Sequence, residues 1–188
     1  MTTLLIGLLL WVVAHFFKRV LPSMRMAMND RMGAGPARGV MSVSILLSVV
    51  LMIIGYRGAE INQVYAPMAG MGHLNNLLMV IAVILIGMSA SKGRLGTKMR
   101  HPMLTGVIVW GVAHLLVNGD MASIVLFGGI TIWSVLQILL INAQETWERP
   151  EPGPASGDIK LLIISTVMFI VIVGIHSALG YSPFSGSY

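Results

Sequence analysis

The sequence has 188 residues, of which 56% are hydrophobic and only 10% are charged, with a formal net charge of +5. Its few charges form short clusters between long uncharged runs, which is typical of an integral membrane protein and excludes an ordinary soluble domain. The positive charge is not a nucleic-acid signal, because eleven of the twelve Lys and Arg residues lie in three connections, which leaves Arg57 alone. The absence of cysteine excludes disulfides and thiolate metal sites.

Six apolar runs predict six transmembrane helices. A helical span needs about 20 mostly apolar residues, and continuous rather than alternating runs favour a helical bundle over a barrel. The predicted helices cover approximately residues 4–17, 40–56, 74–90, 102–117, 121–141 and 159–179. The expected fold is therefore all-α, a polytopic membrane bundle that forms a single domain over residues 1–188.

The basic residues predict the orientation of this bundle. Lys and Arg concentrate in the cytoplasmic connections of membrane proteins, and here they follow the first, third and fifth predicted helices. Both termini are therefore expected outside the cytoplasm. The first basic connection, residues 18–38, carries five positive charges and one aspartate, and its glycine-rich segment 33–39 predicts a flexible turn near anionic lipid headgroups.

Two histidines lie deep in the predicted helices and are the candidates for chemistry. His15 follows Trp11 by one helical turn, and His114 follows Trp110 in the same way, within the similar segments WVVAH and WGVAH. A neutral histidine in a membrane helix needs a hydrogen-bond partner or a ligand, so ligation and interhelical hydrogen bonding both remain open. The other three histidines lie near predicted membrane interfaces, where capping or headgroup contact is expected: His73, His101 and His176.

Among cofactors, the pattern favours haem b. Haem b needs one or two neutral imidazoles and an apolar pocket, and it requires no CxxCH attachment motif. Zinc hydrolysis is disfavoured, because the sequence has no HExxH motif and Asp120 is the only acidic residue near the outer histidines. The indoles of Trp11 and Trp110 are expected to line the haem pocket beside the two deep histidines.

Several short motifs together resemble the NnrU family. They are RHPML at residues 100–104, AHLLVNGD at 113–120, AH at 14–15, GY at 55–56, HLNNLLM at 73–79 and LFG at 126–128. The resemblance covers most of the chain. It implies a multi-pass protein of the bacterial inner membrane with periplasmic termini, associated with nitrite and nitric oxide reduction.

The NnrU family is related to 15-cis-zeta-carotene isomerase, a haem b protein that isomerises one double bond. The resemblance to this enzyme implies that haem b is bound here and that its histidine ligands fall on His15 and His114. The two positions differ in depth by an offset that approaches about 13 Å at 1.5 Å per residue, so the resemblance leaves open whether both ligate one haem. The later HH pair of the isomerase is missing, with Trp133 and Ser134 in that region. Carotenoid isomerisation, and enzymatic activity altogether, therefore stay open.

Two alternatives of other classes remain. The RHP segment also resembles the cofactor motif of membrane methyltransferases that use S-adenosylmethionine, but their adjacent acidic pair is replaced by the separated Glu145 and Glu148. A non-enzymatic haem carrier, sensor or assembly factor is the other alternative. The expected partners are the lipid bilayer and a hydrophobic small molecule, with no nucleic acid, and the oligomeric state is not determined by the sequence.

Overall fold

The computed structural model describes residues 1–184, and helices account for most of them. In chain order they are α1 (Thr2–Val20), α2 (Pro22–Met32), α3 (Ala34–Arg57), α4 (Met71–Met88), α5 (Pro102–Val117), α6 (Met121–Gln144) and α7 (Ala155–Ala178). Residues 1–184 contain no strand, only an isolated bridge between Gln63 and Asp120. The predicted all-α fold class is confirmed, while residues 185–188 of the predicted domain lie outside the described residues.

Five of these helices are long and apolar enough to cross a membrane: α1, α3, α4, α6 and α7. They make the chain a multi-pass membrane protein by length and composition. The predicted fourth span corresponds to α5, which is apolar but has 16 residues. At 1.5 Å per residue, α5 is about 24 Å long, somewhat less than the ~30 Å hydrocarbon core.

The basic connection after α1 is helical, so the predicted flexible turn at residues 33–39 is wrong. Pro22 begins α2, and only Gly33, with φ of 87°, interrupts the helical path before α3 starts. The glycines and Pro36 that suggested a turn lie in the first two turns of α3, where proline costs little because its missing N–H would have no helical partner. The guanidinium of Arg25 donates to the carbonyl oxygen of Ala37 at 3.0 Å and ties α2 to α3.

The described chain divides into two compact units. The first comprises Met1–Gln63 and Asp120–Gly129, and the second comprises Val64–Gly119 and the residues from Ile130 onward. The boundary therefore falls inside α6, directly after a π-helical turn at Ile124–Gly128.

In the first unit, α1 packs against α3 through glycines. Gly7 faces Met52, and Gly55 lies directly against the backbone of Leu4, so that a Cβ atom on Gly55 would lie 2.6 Å from the Cα atom of Leu4. A Cβ atom on Gly129, at the start of the regular part of α6, would lie 3.3 Å from the Leu8 side chain. Nothing lies within 4 Å of a Cβ atom at the neighbouring Gly128.

A hydrogen-bonded network closes one end of the first unit. Asp120 caps α6, accepting from the Ser123 backbone N–H at 2.9 Å and from the Ser123 hydroxyl at 2.5 Å. Because that hydroxyl hydrogen points to the carboxylate, the Tyr56 hydroxyl is the donor in its 2.9 Å contact with Ser123 Oγ. The network joins the end of α3 to the start of α6.

In the second unit, α4 packs against both α5 and α7. Gly106 of α5 lies against Ala82 and Ile86 of α4. Gly87 of α4 lies against Leu161 and Ser165 of α7. These glycines let the helix backbones approach closely, which is how transmembrane helices commonly associate.

Candidate functional site

His15 is held rigidly on α1 by the residue one turn before it. Its Nδ1 atom lies 2.8 Å from the carbonyl oxygen of Trp11, and its ring centroid lies 4.1 Å from that of the Trp11 indole. The imidazole therefore has both a fixed hydrogen bond and an aromatic neighbour within its own helix.

His114 repeats this arrangement on α5. Its Nδ1 atom lies 2.8 Å from the carbonyl oxygen of Trp110, and the ring centroids are 4.9 Å apart. The predicted placement of each tryptophan one turn before its histidine is confirmed as a ring contact. The matching segments WVVAH and WGVAH thus produce the same local geometry in two different helices.

This geometry determines the tautomer of both histidines. A carbonyl oxygen only accepts hydrogen bonds, so Nδ1 must carry the proton in each ring. Nε2 is then the nitrogen whose lone pair accepts a hydrogen bond or coordinates a metal, and a backbone hydrogen bond of this kind commonly orients metal-ligating histidines. His15 and His114 are therefore both preset to act through Nε2.

The other three histidines divide into two kinds. His176, on α7, has the same geometry as the deep pair, with Nδ1 at 2.8 Å from the carbonyl oxygen of Ile172. His101 instead directs Nε2 to the side-chain oxygen of Asn142 at 2.9 Å, and His73 is exposed at the start of α4. His176 therefore belongs with His15 and His114 by its local structure, although its position near a helix end predicted a structural role.

The Arg-His-Pro segment, residues 100–102, connects the ends of two helices. The guanidinium of Arg100 donates to the carbonyl oxygen of Glu145 at 2.6 Å, beside the contact between His101 and Asn142. Pro102 is the first residue of α5. These contacts connect the start of α5 to the end of α6, which explains the segment structurally without a cofactor.

Comparison with protein families decides the classification. The model of the NnrU family, described as NnrU protein, matches residues 3–183, which is nearly the whole chain. The chain belongs to the NnrU family. The resemblance predicted from the sequence motifs is thereby confirmed. Comparison with curated proteins and with solved structures gives no significant match.

The two predicted ligands of this NnrU chain lie in different compact units. His15 is in the first unit, and His114 is in the second. Both are partly buried within apolar helices. Among the described residues, no group of three or more His, Asp or Glu side chains is arranged to hold a metal ion. His15 and His114 each offer one imidazole donor, and a single imidazole is enough to hold haem iron, whereas a protein-only metal centre needs several ligands.

Asn75 is a buried polar residue that the sequence analysis did not single out. It lies within α4 of the second unit with 6% of its surface exposed, and its side-chain oxygen is buried without a hydrogen-bond partner in the described part of the chain. Buried polar atoms are nearly always paired, so the Asn75 side-chain oxygen is an unusual feature of an apolar helix. The signal was present in the sequence as two consecutive asparagines in an otherwise apolar run.

Proposed function

We propose that this NnrU-family protein binds haem b within the membrane, with an axial imidazole supplied by at least one of His15 and His114. The observation that carries the proposal is the geometry these histidines share, in which Nδ1 donates to the helix backbone and the ring lone pair is on Nε2, the atom that would coordinate iron. Neutral imidazole is the usual protein ligand of haem iron, and no covalent attachment is required.

Other side chains would support haem binding by the two histidines. The indoles of Trp11 and Trp110 pack on the imidazoles and restrict their rotation, and the apolar helices exclude water from the iron ligands. For a haem held by His15, the basic residues in the last turn of α1, Lys18 and Arg19, would be cationic partners for the propionates. When bound, haem iron supplies a redox-active centre that can bind nitric oxide or polarise an electron-rich double bond as a Lewis acid.

The biological role we propose lies in nitrite and nitric oxide metabolism, with isomerisation of a hydrophobic polyene as the enzymatic form of the activity. A haem carrier, sensor or assembly factor would need the same ligands without a reaction. The methyltransferase alternative gains no support from any contact of the RHP segment, since Arg100 and His101 are engaged with the end of α6.

Haem content tests the proposal directly. The detergent-purified protein, expressed with ample haem, is expected to contain haem b as measured by its pyridine haemochrome spectrum. The double variant His15→Ala/His114→Ala is expected to purify without haem, because both preset imidazoles are gone. A colourless wild-type protein, or a double variant with unchanged haem content, would contradict the proposal.

We further propose six membrane passes in the bacterial inner membrane, with both termini in the periplasm, so that the short helix α5 crosses. Reporter fusions placed after Ala90 and after Gly119 bracket α5, and they are expected to report the cytoplasm and the periplasm respectively. A fusion after Tyr188, which lies outside the described residues, is expected to report the periplasm. If the fusions after Ala90 and Gly119 report the same side, α5 does not cross and the orientation is wrong.

A further inference from the structure

His176 has the same local geometry as His15 and His114. It lies in the last turn of α7, partly buried, and its Nδ1 proton is donated to the carbonyl oxygen of Ile172. Like the two deep histidines, it must therefore accept or coordinate through Nε2. A role as a ligand requires that His176 lie near another imidazole with this geometry.

The packing of α5 on α4 gives the level of His114, meaning its position along the axis of α4, in the second unit. These consecutive helices pack along their lengths and are joined at one end by a short connection, so they run antiparallel. Gly106 lies against Ala82 and Ile86. Because all α-helices rise about 1.5 Å per residue, His114, eight residues beyond Gly106, lies level with residues 74–78 of α4.

The packing of α7 on α4 gives the level of His176. Gly93, just after α4, meets Asp158 in the first turn of α7, whereas Gly87 meets Leu161 and Ser165, so these helices are also antiparallel. His176 lies 11 residues beyond Ser165 and 15 beyond Leu161, which places it level with residues 72–76 of α4. Eleven residues are about three turns, so His176 shares the helix face that Ser165 packs against α4.

The two levels coincide at the buried asparagine. Asn75 lies seven residues before Ala82, about two turns, and so shares the face of α4 that packs against α5. Its unpaired side-chain oxygen is at the same height as both imidazoles. Three polar groups from three helices thus share one level at one end of the second unit.

From this coincidence we infer that His176 supplies the second axial imidazole to the iron held by His114. The inference rests on the proposed haem binding and names the ligand pair for it. It also avoids the depth offset that the sequence predicts between His15 and His114, because both ligands then belong to one compact unit. His15 would have no axial role.

The spin state of the iron tests this ligand pair. The full-length protein in detergent is expected to show a six-coordinate, low-spin haem spectrum. His176→Ala and His176→Gln are both expected to retain haem in a five-coordinate, high-spin state, and added imidazole is expected to restore the low-spin spectrum. His73→Ala, which removes an exposed histidine at the same end of the second unit, is the matched control and is expected to leave the spectrum unchanged.

The possible outcomes distinguish a wrong pair of ligands from the absence of haem. A low-spin spectrum that survives both His176 variants but becomes high-spin in His15→Ala would overturn the inference and identify His15 as the second ligand. A wild-type haem that is already five-coordinate would overturn it too, since no second imidazole would then bind. A wild-type protein without haem would instead refute the proposed function.

Discussion

Replacing Gly55 with alanine is expected to lower the thermal unfolding temperature of the protein by roughly 2–12 °C. The new Cβ atom would lie 2.6 Å from the Cα atom of Leu4 and 2.8 Å from the carbonyl carbon of Thr3. Both are backbone atoms, so the overlap is relieved only by separating α1 from α3. Overpacking of this kind costs about 1–3 kcal/mol, and in a chain of this size each kcal/mol shifts the unfolding temperature by about 2–4 °C.

Gly39→Ala provides the control for this measurement, because Gly39 lies in the same helix and a Cβ atom there would have nothing within 4 Å. Both substitutions remove the backbone freedom of glycine and gain up to about 1 kcal/mol of helix propensity. Only Gly55→Ala introduces an overlap. Thermal unfolding of the detergent-solubilised variants should therefore show a loss for Gly55→Ala and no loss for Gly39→Ala. Equal unfolding temperatures would show that α1 and α3 are not in close contact at Gly55.

The sequence was sufficient to predict elements whose signals are local. Six of the seven helices follow from uncharged runs, and the pairing of Trp110 with His114 follows from helical spacing. Helix α2 was not predicted because its proline and polar residues are typical of a loop. Pro22 is instead the first residue of the helix, a position that proline tolerates. Its interruption depends on a single residue, Gly33.

Contacts between distant residues could not be predicted in this way. Tyr56 and Ser123 are 67 positions apart, and the motif that contains Tyr56 gave no indication of a hydroxyl network with Asp120. His176 was predicted to lie at the membrane interface because its depth in the membrane was inferred only from its position along its own helix. Only the packing of α5 and α7 on a common neighbour shows that His176 and His114 share a level.

Replacing His114 with alanine is expected to abolish haem retention and to lower the thermal stability of the protein. His114 is anchored by the Trp110 carbonyl and ring, whereas His176 lies two residues before the end of α7, so the remaining imidazole is the more weakly held of the two. A cofactor at 1,000 times its Kd stabilises the folded state by about 4 kcal/mol, and this contribution would be lost. Haem content and unfolding temperature are measured on the same purified samples.

His15→Ala is the matched control, because it removes an imidazole with the same contacts to its own helix from the other compact unit. Both variants lose one backbone hydrogen bond and one contact with a tryptophan ring, so a purely structural effect would be similar in the two. If His114 is the principal iron ligand, His114→Ala is expected to lose haem and His15→Ala is expected to retain it. Added haem is then expected to raise the unfolding temperature of His15→Ala but not that of His114→Ala. The reverse result, with haem lost from His15→Ala and retained by His114→Ala, would move the ligand to the first unit.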